Sequence, residues 1–164
     1  MDRPDMRRKD RRLSDEESAA LLARGEYGVM AAVDIKGLPY GVPLSYLWRD
    51  GLVYFHSAPQ GYKSDSIRAN KAVSFTVVGR TQPVYEKNFT TWYESVMVFG
   101  QVAEIADPEK KYAILYALAE KYLPDHLDKA EEDIKRSLAR TVVYAITPER
   151  ITGKAKPPAP SGGA

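Results

Sequence analysis

The hydrophobic period of this chain switches from helical to two at Tyr27, and that switch restricts the fold more than any other feature. Tyr27, Val29, Ala31 and Val33 fall on one face of an extended segment, and Tyr40, Val42, Leu44, Tyr46 and Trp48 repeat the pattern after a turn near Lys36-Gly37. The spacing predicts two strands. Arg49-Asp50-Gly51 then makes a short polar link to Leu52-Val53-Tyr54-Phe55, which predicts a tight hairpin pairing the second and third strands. Ala72–Val78 and Ser95–Ile105 read as further strands, the latter interrupted by Gly100 as a bend or bulge, and Thr141–Thr147 as the last. Between them, 79–91 is polar, holds Pro83 and has no period, so a loop is expected there.

Helical signals are fewer and confined. Leu13 to Gly25 carries Ser14 as N-cap and Glu17 as its capping-box partner. Gln60 to Asn70 loses the alternation and predicts a short exposed helix. Asp107-Pro108 opens a longer helix with a stripe of Tyr112, Leu115, Ala119 and Tyr122 up to Pro124, and Leu127, Ala130, Ile134 and Leu138 form the stripe of another. Antiparallel strands with helices at the start, at one crossover and in the last third predict an α+β fold, a small antiparallel barrel of six to seven strands whose closure removes its exposed edges. An open two-layer sheet is the alternative.

Composition sets the outer limits. The 164 residues, 44% of them hydrophobic, suit one compact domain at 13–153. No cysteine is present, which excludes disulfides, thiolate zinc sites, iron–sulfur clusters and a cysteine nucleophile, and fits a reducing, cytoplasmic setting. Of the formal net charge of +2, residues 1–12 hold six basic and three acidic groups, and the other 152 residues hold 18 and 19. The excess is thus a basic N-terminal head and not a basic folded surface, which argues against nucleic acid. No apolar run approaches the roughly 20 residues of a membrane helix, and Lys154 onward is Pro/Gly/Ser-rich, so 154–164 reads as a flexible tail.

The two histidines, His56 and His126, lie in different elements without a metal-ligand partner at suitable spacing, so no metal site is expected. The patterns GxSxG, P-loop and GxGxxG do not occur. The informative stretch is Tyr54 to Asn70 (YFHSAPQGYKSDSIRAN), a strand end and a glycine turn followed by Lys63 and Ser64 at a helix start. Free backbone N–H groups, the positive end of the helix dipole, the lysine charge and the hydroxyls of Ser57, Ser64 or Ser66 can together hold a phosphate. An ordinary capped surface helix accounts for the same residues.

The ordered motifs YGVPLSYLW, YFHSAPQGYKSDSIRAN, AVSFTVVG and YESVMVFGQVAE resemble the FMN-binding split-barrel superfamily of pyridoxamine 5′-phosphate oxidase-like proteins, most closely its nitroimidazole-resistance (Nim) branch. The resemblance runs from about Arg7 to Lys156 and includes the opening MRRKDR. It implies a homodimer with FMN at the subunit interface, and by position it places Val42, Pro43, Leu44, Ser45 and Tyr46 along the flavin ring. His56 and Ser57 would flank the ribityl-phosphate arm, Tyr62 and Lys63 would hold the phosphate, and Ser95 would meet the ring from the long strand. Two departures matter. Tyr62 stands where similar Nim-like sequences often have His and the oxidase has Arg, and a phenol does not supply an imidazole's acid–base chemistry near neutral pH. The oxidase's C-terminal arginine motif is absent, which argues against pyridoxamine-phosphate oxidation.

The expected activity is therefore an FMN-dependent oxidoreductase, in which NAD(P)H supplies hydride and a small electron-poor acceptor such as a nitroaromatic receives electrons, with no catalytic side-chain acid or base evident. The alternatives are a flavin-binding electron carrier without its own small-molecule substrate, and a related barrel using haem or a deazaflavin.

Overall fold

A computed structural model describes residues 5–85 and 88–156. Its elements are α1 (Asp15–Arg24), β1 (Gly28–Val33), β2 (Pro39–Leu44), β3 (Leu47–Arg49), β4 (Leu52–Ser57), α2 (Tyr62–Ala69), β5 (Ala72–Tyr85), β6 (Phe89–Glu104), α3 (Pro108–Tyr122), α4 (Leu127–Ser137) and β7 (Val142–Lys156). The strands form one seven-stranded antiparallel sheet in the order β2-β1-β5-β6-β7-β4-β3. The α+β fold with a seven-stranded antiparallel barrel expected from the alternation is observed, in the split form that the resemblance implies.

The barrel is not closed by hydrogen bonds. β2 and β3 end the sheet on opposite sides, yet only Ser45 and Tyr46 separate them in the chain. A three-residue step spans at most about 11 Å, so the sheet must curl until its two edges nearly meet. They are joined there by covalent chain instead of a ladder. This corrects the expectation that Tyr40 to Trp48 is a single strand paired with the third: β2 pairs with β1, and only Leu47–Arg49 pairs with β4. Tyr46 sits in the break with its side chain in the barrel interior.

Two cores result. Inside the barrel lie Met30, Leu44, Tyr46, Phe55, Phe75, Val77, Val96, Val98 and Ile146, closed at one end by Leu21 and Leu22 of α1. The capping box of Ser14 and Glu17 is formed, and α1 ends before Gly25 as expected. Outside, α3 and α4 pack against Leu47, Tyr54, Val143 and Ala145.

The loop expected at 79–91 is mostly strand. β5 and β6 form a long hairpin, with a register shift between Val78 and Thr81 that absorbs the missing period. Pro83 is tolerated because β1 pairs with β5 only at Ser74, Phe75 and Thr76, leaving the distal edge of β5 without a second partner. β7 likewise runs on to Lys156, three residues into the expected tail, while 157–164 lie outside the described residues. No described helix is long and apolar enough to cross a membrane.

Gly100 marks a bulge, as its place in the strand predicts: the β6–β7 register shifts between Phe99 and Gly100. A Cβ there would lie 2.1 Å from the Thr147 carbonyl oxygen and 2.9 Å from its carbon, backbone atoms held by the ladder. Gly100→Ala is therefore expected to cost about 1–3 kcal/mol. Urea unfolding followed by circular dichroism checks this, and an unchanged midpoint would mean that the bulge relaxes freely.

Candidate functional site

The turn from β4 into α2 carries four of the ten candidate flavin-contact residues, His56, Ser57, Tyr62 and Lys63. Gly61 is the N-cap residue of α2 at φ 123°, a conformation that L side chains rarely adopt, and among the described residues none beyond its chain neighbours comes within 4 Å of where its Cβ would be. With no side chain at the cap, none accepts from the first-turn N–H groups there, whereas the Asp107 side chain accepts from the Glu109 N–H in α3. Early helical N–H groups lack intrahelical partners, so this end presents donors and positive potential to open space.

Lys63 stands in that first turn. Its Nζ lies 3.4 Å from the His56 carbonyl oxygen and 5.9 Å from the Phe55 ring centroid, and it has no carboxylate partner among the described residues. Burial lowers its pKa, so the fold holds a cation that lacks an anion. Arg68 is spent elsewhere, on the Pro59 carbonyl at 3.1 Å and Asp65 at 2.7 Å.

The serines are structural in this arrangement. Ser64 Oγ donates to the Ala58 carbonyl at 2.8 Å and lies 3.3 Å from Ser57 Oγ, and Ser66 Oγ donates to the Tyr62 carbonyl at 2.7 Å. All three side chains are buried, and the Ser64 contacts tie the start of α2 to the end of β4.

His56 and Ser57 point to opposite faces of β4, as strand period requires. Ser57 goes inward with Phe55. The His56 ring faces a cavity of about 320 Å³ between the sheet and α3–α4, which Ser45, Leu118, Tyr122 and Asp133 also line. Burial and the Lys63 charge lower the His56 pKa. Its imidazole is thus expected to titrate below the ordinary value of about 6.5, as NMR of labelled histidine can check. Unfolded chain binds that proton more readily than folded chain, so the His56 contribution to stability is present above about pH 6.5 and is lost as pH falls through the lowered folded value.

Tyr62 does not reach into the open space. Its hydroxyl donates to Asp34 Oδ2 in the β1–β2 turn, and its ring meets Tyr40 edge-on at 4.8 Å. Asp34 Oδ1 accepts the Lys36 and Leu38 N–H groups, both at 2.8 Å. The Tyr62 hydrogen bond, then the Leu38 N–H, lowers the Asp34 pKa, and the same bond to Asp34 raises that of Tyr62. Tyr62 thus fastens the start of α2 to the neighbouring turn, a role invisible from its own segment.

Along β2, Val42 and Leu44 turn inward and Pro43 outward. Tyr46 is fully buried, and its hydroxyl donates to the Leu22 carbonyl at 2.5 Å. The backbone at Ser45–Tyr46 is clasped by α3: Tyr122 Oη lies 2.9 Å from both the N and O of Tyr46, and Lys121 Nζ donates to the Gly25 and Tyr46 carbonyls at 2.8 and 3.1 Å. Tyr122 had only a helical stripe to mark it, and Lys121 no signal at all. Ser95 lies apart from the β4–α2 turn, on the outer face of β6 beside Lys154. Among the described residues no cluster of three or more His, Cys, Asp or Glu could hold a metal ion.

Comparison with known proteins gives one family. Residues 14–155 match the family model described as pyridoxamine 5′-phosphate oxidase. No curated protein matches. Among solved structures, a candidate 5-nitroimidazole antibiotic resistance protein from Bacteroides thetaiotaomicron superposes with TM-score 0.75 at 23% identity, over 88% of this chain and 86% of that one. The flavocytochrome Anf3 from Azotobacter vinelandii gives 0.82 at 18% identity, over 97% and 75%. An FAD-binding protein from Mesorhizobium loti gives 0.62 at 26% identity, over 90% and 98%.

Proposed function

The chain belongs to the pyridoxamine 5′-phosphate oxidase family, and from that premise we propose that it is an FMN-binding reductase of small electron-poor acceptors such as nitroaromatics, with NAD(P)H as hydride donor. Lys63 carries the proposal: a partly buried ammonium without a carboxylate, beside an uncapped helix start whose glycine leaves the approach open. A flavin phosphate fits there, since it supplies the missing negative charge and accepts from both the lysine and the helix N–H groups.

When bound, the flavin supplies hydride acceptance and electron transfer. The chain positions it. Lys63 and the first turn of α2 hold the phosphate, Tyr62 keeps that turn in place through Asp34, and Tyr122 and Lys121 fix the Ser45–Tyr46 backbone as one wall. Tyr46, Val42 and Leu44 contribute from behind by filling the barrel. The outer sheet face carries exposed Val29, Val33 and Val78, apolar surface suited to a second copy of the chain, which supports the homodimer.

The test is an absorbance spectrum of the purified, desalted protein with mass identification of what heat releases, followed by NADPH turnover with a nitroaromatic. FMN with turnover is expected. Released FAD or a Soret band would change the cofactor, and bound FMN without turnover would leave an electron carrier.

A further inference from the structure

Two helical stripes meet over the first half of β7. Leu115, Leu118, Ala119 and Tyr122 recur at helical spacing along α3, and Ala130, Ile134 and Ser137 along α4, so each set lies on one helix face. Beneath them the sheet presents His56 opposite Val143 and Tyr54 opposite Ala145. The rows given to the second copy run through Val29, Thr76 and Met97 and reach β7 at Thr152, in its distal half. The surface under α3 and α4 is therefore separate from that face.

Ala119 and Ala130 are small members of stripes otherwise built from larger side chains, and the helices leave a gap above the sheet. That gap is the cavity of about 320 Å³ that the His56 ring faces, a volume in the range of small-molecule sites. Its apolar walls include the buried Leu115, Leu118 and Ile134. Most polar groups of the lining are already engaged. Tyr122 Oη lies 2.8 and 2.9 Å from the Glu26 and Tyr46 carbonyls, Ser137 Oγ donates to the Asp133 carbonyl at 2.7 Å, Thr141 Oγ1 donates to the Ser137 carbonyl at 3.0 Å, and the Asp133 carboxylate pairs with Arg136. The His56 ring differs. Lys63 reaches the His56 carbonyl, and neither ring nitrogen has a hydrogen-bond partner among the described residues. Desolvation, then the Lys63 charge, favours the neutral imidazole, which offers one donor and one acceptor. The cavity thus combines an apolar slot with one free hydrogen-bonding ring, and its lining holds a carboxylate but neither Lys nor Arg.

We propose that this cavity binds a neutral single-ring aromatic compound, its ring against Leu118 and Ile134 and its polar substituent hydrogen-bonded to the His56 imidazole. The ring supplies the dispersion contacts that the walls of a gap lack. An anion would meet the Asp133 carboxylate with no cation in the lining to balance it. Ser45, at the break between β2 and β3, lines the cavity from the sheet side, which sets the compound beside the Ser45–Tyr46 wall assigned to the flavin. The inference rests on the reductase reading and names the class of its acceptor as neutral and not anionic.

The test titrates FMN-loaded protein with nitrobenzene by calorimetry, with toluene as the ring lacking a polar substituent and 4-nitrobenzoate as the anion, in wild type, His56→Leu and Ala130→Leu. Ala130→Leu fills the gap from α4 and is expected to lose about tenfold or more in affinity for both neutral probes, with FMN affinity unchanged. His56→Leu should weaken nitrobenzene about three- to tenfold, as loss of one neutral hydrogen bond does, and leave toluene unchanged. In wild type, nitrobenzene should shift the labelled His56 ring resonances and not those of His126, a reading that needs no variant to fold. Equal nitrobenzene affinity in wild type and Ala130→Leu, no shift at His56, or 4-nitrobenzoate bound as tightly as nitrobenzene overturns the proposal. If Ala130→Leu loses FMN as well, the flavin occupies the cavity, and this inference falls while the flavin reading stands. If wild type takes up no FMN, the reductase reading fails by itself, and a His56 shift with nitrobenzene in the flavin-free chain still assigns the cavity.

Discussion

Replacing Lys63 with alanine is expected to weaken FMN binding about 10–100-fold while leaving stability near that of wild type. A hydrogen bond to a charged group contributes about 1.5–3 kcal/mol, and each 1.4 kcal/mol is about tenfold in affinity. The fold itself loses little, because the lysine's contacts are one long approach to the His56 carbonyl and a distant ring. The sign for the unliganded chain even runs the other way: burial lowers the Lys63 pKa, so the folded state disfavours the charge that alanine removes. Fluorescence titration of FMN together with urea unfolding separates the two effects. Unchanged flavin affinity would remove the phosphate from the β4–α2 turn.

Tyr46→Ala is expected to destabilise the protein by about 3–5 kcal/mol, the range for emptying a large aromatic site in a packed core. The ring is fully buried, meets Phe75 at 5.0 Å and lies 4.1 Å from Lys121 Nζ. Tyr46→Phe keeps the ring but deprives the Leu22 carbonyl of its donor, at about 1–3 kcal/mol. Flavin affinity of the folded Tyr46→Phe protein should match wild type, since the side chain faces the barrel interior and its neighbour Ser45, not Tyr46, lines the cavity. Calorimetric unfolding with and without FMN checks both. A Tyr46→Phe variant of normal stability that binds flavin poorly would put the phenol at the ring, as motif position implied.

Tyr46 also shows where sequence legibility stops. Its place in an alternating run marked it correctly as inward-facing, but the run hides a break at Ser45–Tyr46, because a residue bridging two sheet ends and a residue within a strand present the same local pattern. The 79–91 segment failed for the opposite reason: a register shift and an edge proline erased the period although the pairing continued. Gly100 and the α1 capping box were legible because their causes are local, a missing Cβ and a side chain reaching three residues.

At the candidate site, the sequence alone determined the glycine turn, the lysine one residue into the helix and the strand before it, since a strand end, a turn and a helix start are set by neighbouring residues. The tertiary structure decided the partners. Tyr62 is taken by Asp34, 28 positions away, and the Tyr46 backbone by Tyr122, 76 away. Such pairings depend on the route by which the sheet curls its two edges together. Propensity and period act over a few residues, so they specify each strand and helix, but only the closed geometry brings together side chains with no common local pattern.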